Sequence, residues 1–145
     1  MSFTRILCAV DFSPDSVAAF RVAVDLTGLH TASLHLLHVI EAEPGAEFPG
    51  QDTSDLMIRI MAQANAALEK LVASGSSPGA SSLTSEIVTG SAFAEIVDRA
   101  RAWKADLIVL GAKGTASLER LVVGSTAEHV TREAGCSVLV VRPRS

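Results

Sequence analysis

Three short segments of this chain, RILCAV (5–10), DLIVL (106–110) and CSVLVV (136–141), run apolar without the polar alternation of a half-wetted strand. Strands of that kind are covered on both faces, which is the habit of parallel sheets flanked by helices. Two further strands read from SLHLLHVI (33–40) and, with weaker alternation, LTSEIVT (83–89). Between them the apolar period changes to that of a helix. Val17, Phe20 and Val24 follow an N-cap and N1 proline at Ser13-Pro14, with Gly28 as the expected stop. Met57, Ile60, Met61, Ala64, Leu68 and Leu71 form one stripe of a long helix from Thr53. Phe93, Ile96, Val97, Ala100 and Trp103 mark a third helix, and a fourth covers most of 118–134 before Gly135. The order βαβαβαβαβ requires right-handed crossovers and predicts a single doubly wound α/β domain over 1–145, with a five-stranded parallel sheet. The Pro/Gly-rich, acidic stretch 41–52 and the Ser/Gly-rich stretch 74–82 read as connections.

Composition narrows the function. A net charge of −4 with scattered basic residues speaks against a nucleic-acid or anionic-membrane surface. The apolar run before Asp11 has five residues, too few for a signal segment, and no run approaches the roughly 18 of a membrane span. A cytoplasmic protein is expected. Cys8 and Cys136 have neither CxxC spacing nor clustered histidines, so they read as packed, reduced thiols rather than zinc ligands.

In an open parallel sheet, ligands bind beyond the carboxyl ends of the strands, where strand order reverses. The residues just past the strands are therefore the informative ones: Asp11-Phe12-Ser13, Glu41, Gly90-Ser91 and Gly111-Ala112-Lys113-Gly114. Gly111 and Gly114 flank a turn, and Gly124-Ser125-Thr126 open a helix or its second half. A helix start offers unpaired amides to an anion, and glycine leaves no Cβ in the way. Two such points could hold two ends of a polyphosphate. The competing reading is a tight turn followed by close helix–sheet packing. Neither GxxxxGK[ST] nor GxGxxG is present.

Gly111-x2-Gly114-x9-Gly124-Ser125 resembles the G-x2-G-x9-G-[S/T] signature of the ATP-binding branch of the universal stress proteins. RILCAVDFSPDS is similar to that family's opening strand and turn, VTGSAFAEIVDRARAWKADLIVLGAKG to its central βαβ unit, and CSVLVVRP to its closing strand. Phe12 and Ser137 stand where the family commonly has glycine and proline. The resemblance implies a Rossmann-like fold of the adenine nucleotide alpha hydrolase type, strand order 3-2-1-4-5, a homodimer, and ATP bound at the C-terminal edge of the sheet.

On that resemblance, Asp11 meets the ribose or adenine edge, the alternative being a capping or turn aspartate. The Val39 backbone reads adenine, and Ala9 and Val10 line the same pocket. The backbone of Gly111, Gly114, Gly124, Ser125 and Thr126 holds ribose and phosphates. Lys113 either neutralises phosphate or faces solvent. His38, between apolar neighbours, reads as a packed, hydrogen-bonded ring. Glu128, His129 and Arg132 read as an exposed helix face. Asp11 is the one carboxylate placed securely at the site, so a binding switch, with Mg²⁺ carried in by the nucleotide, is expected before a fast ATPase. A slow ATPase or autophosphorylating enzyme (Ser125 or Thr126 as acceptor), and a dimerisation module with a vestigial pocket, are the alternatives. The last strand has no lysine or proline inside it, so as an edge it would pair with its own copy through Val138, Leu139, Val140 and Val141. The regulatory protein partner is not indicated.

Overall fold

The computed structural model describes residues 2–41, 53–75, 82–114 and 123–144. Five strands, β1 (Arg5–Ala9), β2 (Ser33–Glu41), β3 (Ser82–Gly90), β4 (Leu107–Gly111) and β5 (Ser137–Val141), alternate with four helices, α1 (Pro14–His30), α2 (Thr53–Ser74), α3 (Ala92–Trp103) and α4 (Ser125–Glu133). All pairings are parallel, in the order β3-β2-β1-β4-β5, as expected. Residues 42–52 and 76–81 of the expected connections, and 118–122 of the expected last helix, lie outside the described residues. Val123 and Gly124 precede α4 without being helical.

The unbroken apolar strands have the predicted cause. Ile6, Cys8, Leu107 and Val109 pack with Ala19, Phe20, Ala23 and Leu68 of α1 and α2. The residues between them, Leu7, Ala9, Ile108 and Leu110, pack on the opposite face with Ile96, Val97, Ala100, Ala127 and Val130 of α3 and α4. Alternate residues thus serve two cores, so each position must be apolar. The weaker pattern of β3 also has a reason. His35 bridges to it, with Nδ1 2.7 Å from Thr84 Oγ1 and Nε2 2.9 Å from Glu86 Oε1, and Arg99 of α3 reaches Glu86 at 3.4 Å. Polar residues in this edge strand serve a cross-strand network beneath α3.

Ser13 caps α1 by accepting the Ser16 N–H, and Pro14 opens the helix, as the sequence indicates. Gly28 does not end it. The helix continues to His30, because Phe3 donates its N–H to His30 Nδ1 (3.3 Å) and packs edge-on against that ring (5.3 Å). Thr31, at φ 53°, then turns the chain and the Ala32 N–H closes onto Thr27 O at 3.0 Å. α3 stops in the same manner, with Lys104 at φ 58° and Ala105 N–H on Ala100 O at 2.8 Å.

Both cysteines are free. Burial pushes the Cys8 thiol far above its ordinary value. Burial, then the nearby Asp106 charge, raises that of Cys136. Both remain neutral thiols at physiological pH.

Asp106, ahead of β4, accepts from Thr4 N–H (2.8 Å), Thr4 Oγ1–H (2.9 Å) and Arg5 N–H (3.1 Å), tying the starts of β1 and β4 together. Burial works to raise its pKa, but these bonds and its own N–H hold it below the ordinary carboxylate value. A depressed folded pKa means stability that is full above the unfolded value, about 3.9, and fades as pH falls through the folded one. Asp106→Asn should therefore cost about 1 kcal/mol at pH 7. Urea midpoints should show that deficit shrinking below pH 4, where the wild type is itself losing the contribution.

Candidate functional site

β1 and β4 are neighbours whose crossovers leave in opposite directions, so the crevice of this sheet opens beyond Ala9 and Gly111. A cavity of about 660 Å³ lies there, inside the roughly 300–1,000 Å³ range of small-molecule sites. Its described lining includes Ala9, Val10, Asp11, Val39, Gly111, Lys113, Gly114, Gly124, Ser125 and Thr126, the ten residues singled out from the sequence. They arrive from three distant parts of the chain. The lining also holds Glu41, marked by its place just past β2, the bonded ring of His38, and residues that the sequence does not mark for the site: Ser16, Ile40, Ile60, Ala92, Ile96 and Ala127 among them.

The turn after β1 is held by its own side chains. Asp11 Oδ1 accepts from Ser13 N–H (3.0 Å) and from the Ser13 hydroxyl (2.5 Å), while the Asp11 N–H donates to Ser16 Oγ at 3.2 Å. Asp11 thus shapes the turn as well as lining the cavity. Phe12 has φ 65°, a left-handed conformation that bulky residues rarely adopt. Glycine adopts this conformation without strain, which fits the glycine that the resemblance leads one to expect at this position. Here the strain is held by packing: the Phe12 ring lies 4.6 Å from that of His38.

The turn after β4 shows that the glycines are not equivalent. A Cβ on Gly111 would lie 2.7 Å from the Asp15 carbonyl carbon and 2.8 Å from Ser16 N, inside the backbone of α1. Close helix–sheet packing therefore demands this glycine, whatever the cavity holds. A Cβ on Gly114 would instead meet the Asp11 carboxylate, 2.7 Å from Oδ2, on the cavity wall. One on Gly124 would meet Ala112 O at 3.2 Å.

The amides of this turn are largely committed to the protein. Ala112 N–H donates to Val141 O (2.9 Å), Lys113 N–H to Asp15 Oδ2 (3.1 Å), and Gly124 N–H to Ala112 O (2.6 Å). Asp15 is buried, and sequence patterns do not mark it; the acidic residue after Ser13-Pro14 is its one signal. The α4 start differs. Gly124 is its N-cap and makes no side-chain cap bond, so the first-turn amides of Ser125, Thr126 and Ala127 carry no cap from it. These three residues line the cavity, with the positive end of the α4 dipole behind them. The donor groups suited to an anion thus belong to the helix start more than to the β4 turn. Lys113 also lines the cavity, partly buried.

Glu128 and Arg132 form an exposed i,i+4 pair at 2.6 Å on α4, as expected for an outer face. His129, also exposed, packs its ring 4.8 Å from Phe93 of α3. Among the described residues, no group of three or more His, Cys, Asp or Glu side chains could hold a metal, and no helix is long and apolar enough to cross a membrane.

Fold and crevice define the class: a doubly wound α/β protein with a ligand-sized cavity at its switch point and a helix start on one wall. Residues 2–142 match the Universal stress protein family, and the chain belongs to that family. It is 29% identical over 140 residues to Universal stress protein MJ0531 of Methanocaldococcus jannaschii, covering 97% of this chain and 82% of the relative. It is 31% identical over 144 residues to Universal stress protein A homolog 1 of Coxiella burnetii, covering 97% of each. The structure of universal stress protein UspA from Lactobacillus plantarum superposes with TM-score 0.85 at 37% identity, covering 98% of this chain and 99% of that one.

The glycine geometry gives a pair of expected outcomes. Gly111→Ala should lower stability by about 1–3 kcal/mol, because its clash is with backbone. Gly114→Ala should unfold at nearly the wild-type urea concentration, because an exposed turn and one carboxylate can adjust.

Proposed function

We propose that this universal stress protein binds ATP in the switch-point cavity and acts in the cytoplasm as a homodimeric, nucleotide-dependent regulator. The observation that carries the reading is the convergence of the β1 exit, the β2 end and the α4 start, which its N-cap Gly124 leaves without a side-chain cap, on one cavity. The triphosphate lies at the α4 first turn, where amides, the Ser125 and Thr126 hydroxyls and Lys113 meet its charge. Gly114 and Gly124 keep that end free of side chains. The ribose lies beside Asp11, and adenine beside Val39 on β2, with Ala9 and Val10 beneath. Mg²⁺ enters with the nucleotide, held by phosphates and water, and offsets phosphate charge.

Binding without rapid turnover is favoured by what the carboxylates do. Asp11 Oδ1 is engaged by Ser13, and Asp15 by the Lys113 amide. Carboxylates held this way serve shape better than they would position a water or a second metal. The dimer follows from β5, which pairs with β4 on one side only and leaves Leu139 37% exposed. An apolar edge of this kind is completed by an antiparallel copy across a two-fold.

Titrations with ATP, ADP and AMP test the nucleotide, together with mass spectrometry of whatever copurifies with fresh protein. ATP should bind, while Gly114→Val and Gly124→Val should lose at least tenfold in affinity yet keep a cooperative unfolding transition. Absence of any adenine-nucleotide binding by the wild type would remove the reading. Light scattering at micromolar concentration should give a dimer mass, and Leu139→Lys should shift it to the monomer.

A further inference from the structure

His38 is fixed more tightly than a packing residue needs to be. Its Nδ1 lies 2.7 Å from the Val10 carbonyl oxygen. A carbonyl can only accept, so Nδ1 carries the proton and Nε2 of the neutral ring is an acceptor. The bond joins the ends of β1 and β2 just past their last ladder contact, Val10 N–H to Leu37 O at 2.9 Å. The Phe12 ring, held at its left-handed backbone position, packs at 4.6 Å and limits rotation of the imidazole.

Nε2 has no partner among the described residues. No described, buried side-chain nitrogen or oxygen lacks a hydrogen-bond partner, so Nε2 is accessible, and His38 lines the cavity. Along the sheet edge, the α4 start and Gly114 lie on the β4 side. Asp11 follows at the end of β1, and His38 and Val39 stand on β2. A nucleotide laid along this edge with its phosphates at α4 has its base end at β2, where His38 and Val39 both line the cavity.

We propose that His38 is a specificity-determining residue whose Nε2 lone pair accepts a hydrogen bond from the 6-amino group of a purine. The inference rests on the nucleotide reading above and adds which purine is chosen and by what atom. A 6-oxo purine places an acceptor against this acceptor, leaving both unsatisfied, which is how sites discriminate by more than shape.

The two functions of the ring can be separated. In His38→Asn the amide nitrogen takes the position of Nδ1 and keeps the bond to Val10 O, but nothing occupies the position of Nε2. The variant should melt close to the wild type and lose about tenfold in ATP affinity, the worth of one hydrogen bond. Inosine triphosphate should bind the wild type more weakly than ATP does, and should bind the variant at least as tightly as it binds the wild type, because the opposed acceptor is gone. Two results overturn the proposal: unchanged ATP affinity in His38→Asn, or an equal loss for ATP and inosine triphosphate. If the variant fails to fold, imidazole ¹⁵N resonances of the unaltered protein decide. The Nε2 signal should move on addition of ATP and not on addition of inosine triphosphate, and an unmoved signal with ATP bound rejects the idea. Wild type that binds inosine triphosphate as tightly as ATP rejects it while sparing the nucleotide reading. Wild type that binds neither rejects both.

Discussion

The site depends on the approach of the β4 end to the first turn of α1. Gly111 stands where any Cβ would press into the backbone of Asp15 and Ser16, so the helix start sits directly against the strand end. Close contact allows buried Asp15 to take the Lys113 N–H, while Ala112 donates to Val141 in the neighbouring strand. The chain leaving β4 is thereby tied to α1 on one side and β5 on the other. The Ala112 carbonyl accepts the Gly124 N–H, which ties the residue before α4 to this turn. A packing requirement inside the sheet thus reaches the helix start on the cavity wall.

The opposite wall solves the same problem with strain. The turn after β1 must swing back into α1, and Phe12 takes a left-handed backbone to do so. Such conformations cost of order 1–3 kcal/mol and last only where surroundings enforce them. The enforcement is visible: Asp11 is bonded to Ser13, Ser13 caps α1, and the Phe12 ring is packed against His38. Glycine at 12 would relieve the backbone but would leave one face of the imidazole uncovered. In this chain the turn and the ring on β2 hold each other in place.

Most of the fold is legible in the sequence because the central strands carry almost no polar residue, and burial on both faces of a sheet is what permits that. Where legibility ends, distant contacts decide. Gly28 looks like a stop, yet α1 runs on because Phe3 and His30 meet. The glycines at 111, 114 and 124 do come together on one cavity, but one sequence signal covers two different physical causes. Gly111 is imposed by α1, and Gly114 by the Asp11 carboxylate. Asp15, Ile60 and Ala92 carry no readable signal, since each belongs to a helix and meets the site only once the sheet is assembled. His38 reads rightly as a bonded ring, but its second nitrogen acquires meaning only from the first one's partner.

Charge on the cavity wall bears on how an anion would be held. The charged residues among the described lining are Asp11, Glu41 and Lys113, so side chains alone give no positive excess. Among the described residues, attraction for an anion would then come mainly from α4, whose dipole is worth roughly half a charge at its start, and from first-turn amides that Gly124 leaves uncapped. Such a grip is directional and short-ranged: it weakens within one turn of the helix, so it distinguishes a phosphate in place from one merely nearby. The α4 start is also joined to the sheet through Ala112, whose N–H is bonded to Val141 at the exposed edge. Two hydrogen bonds through one residue thus separate the proposed phosphate position from the proposed dimer strand. Under the proposed function, that short path is what would let the state of the phosphate end bear on the β5 edge.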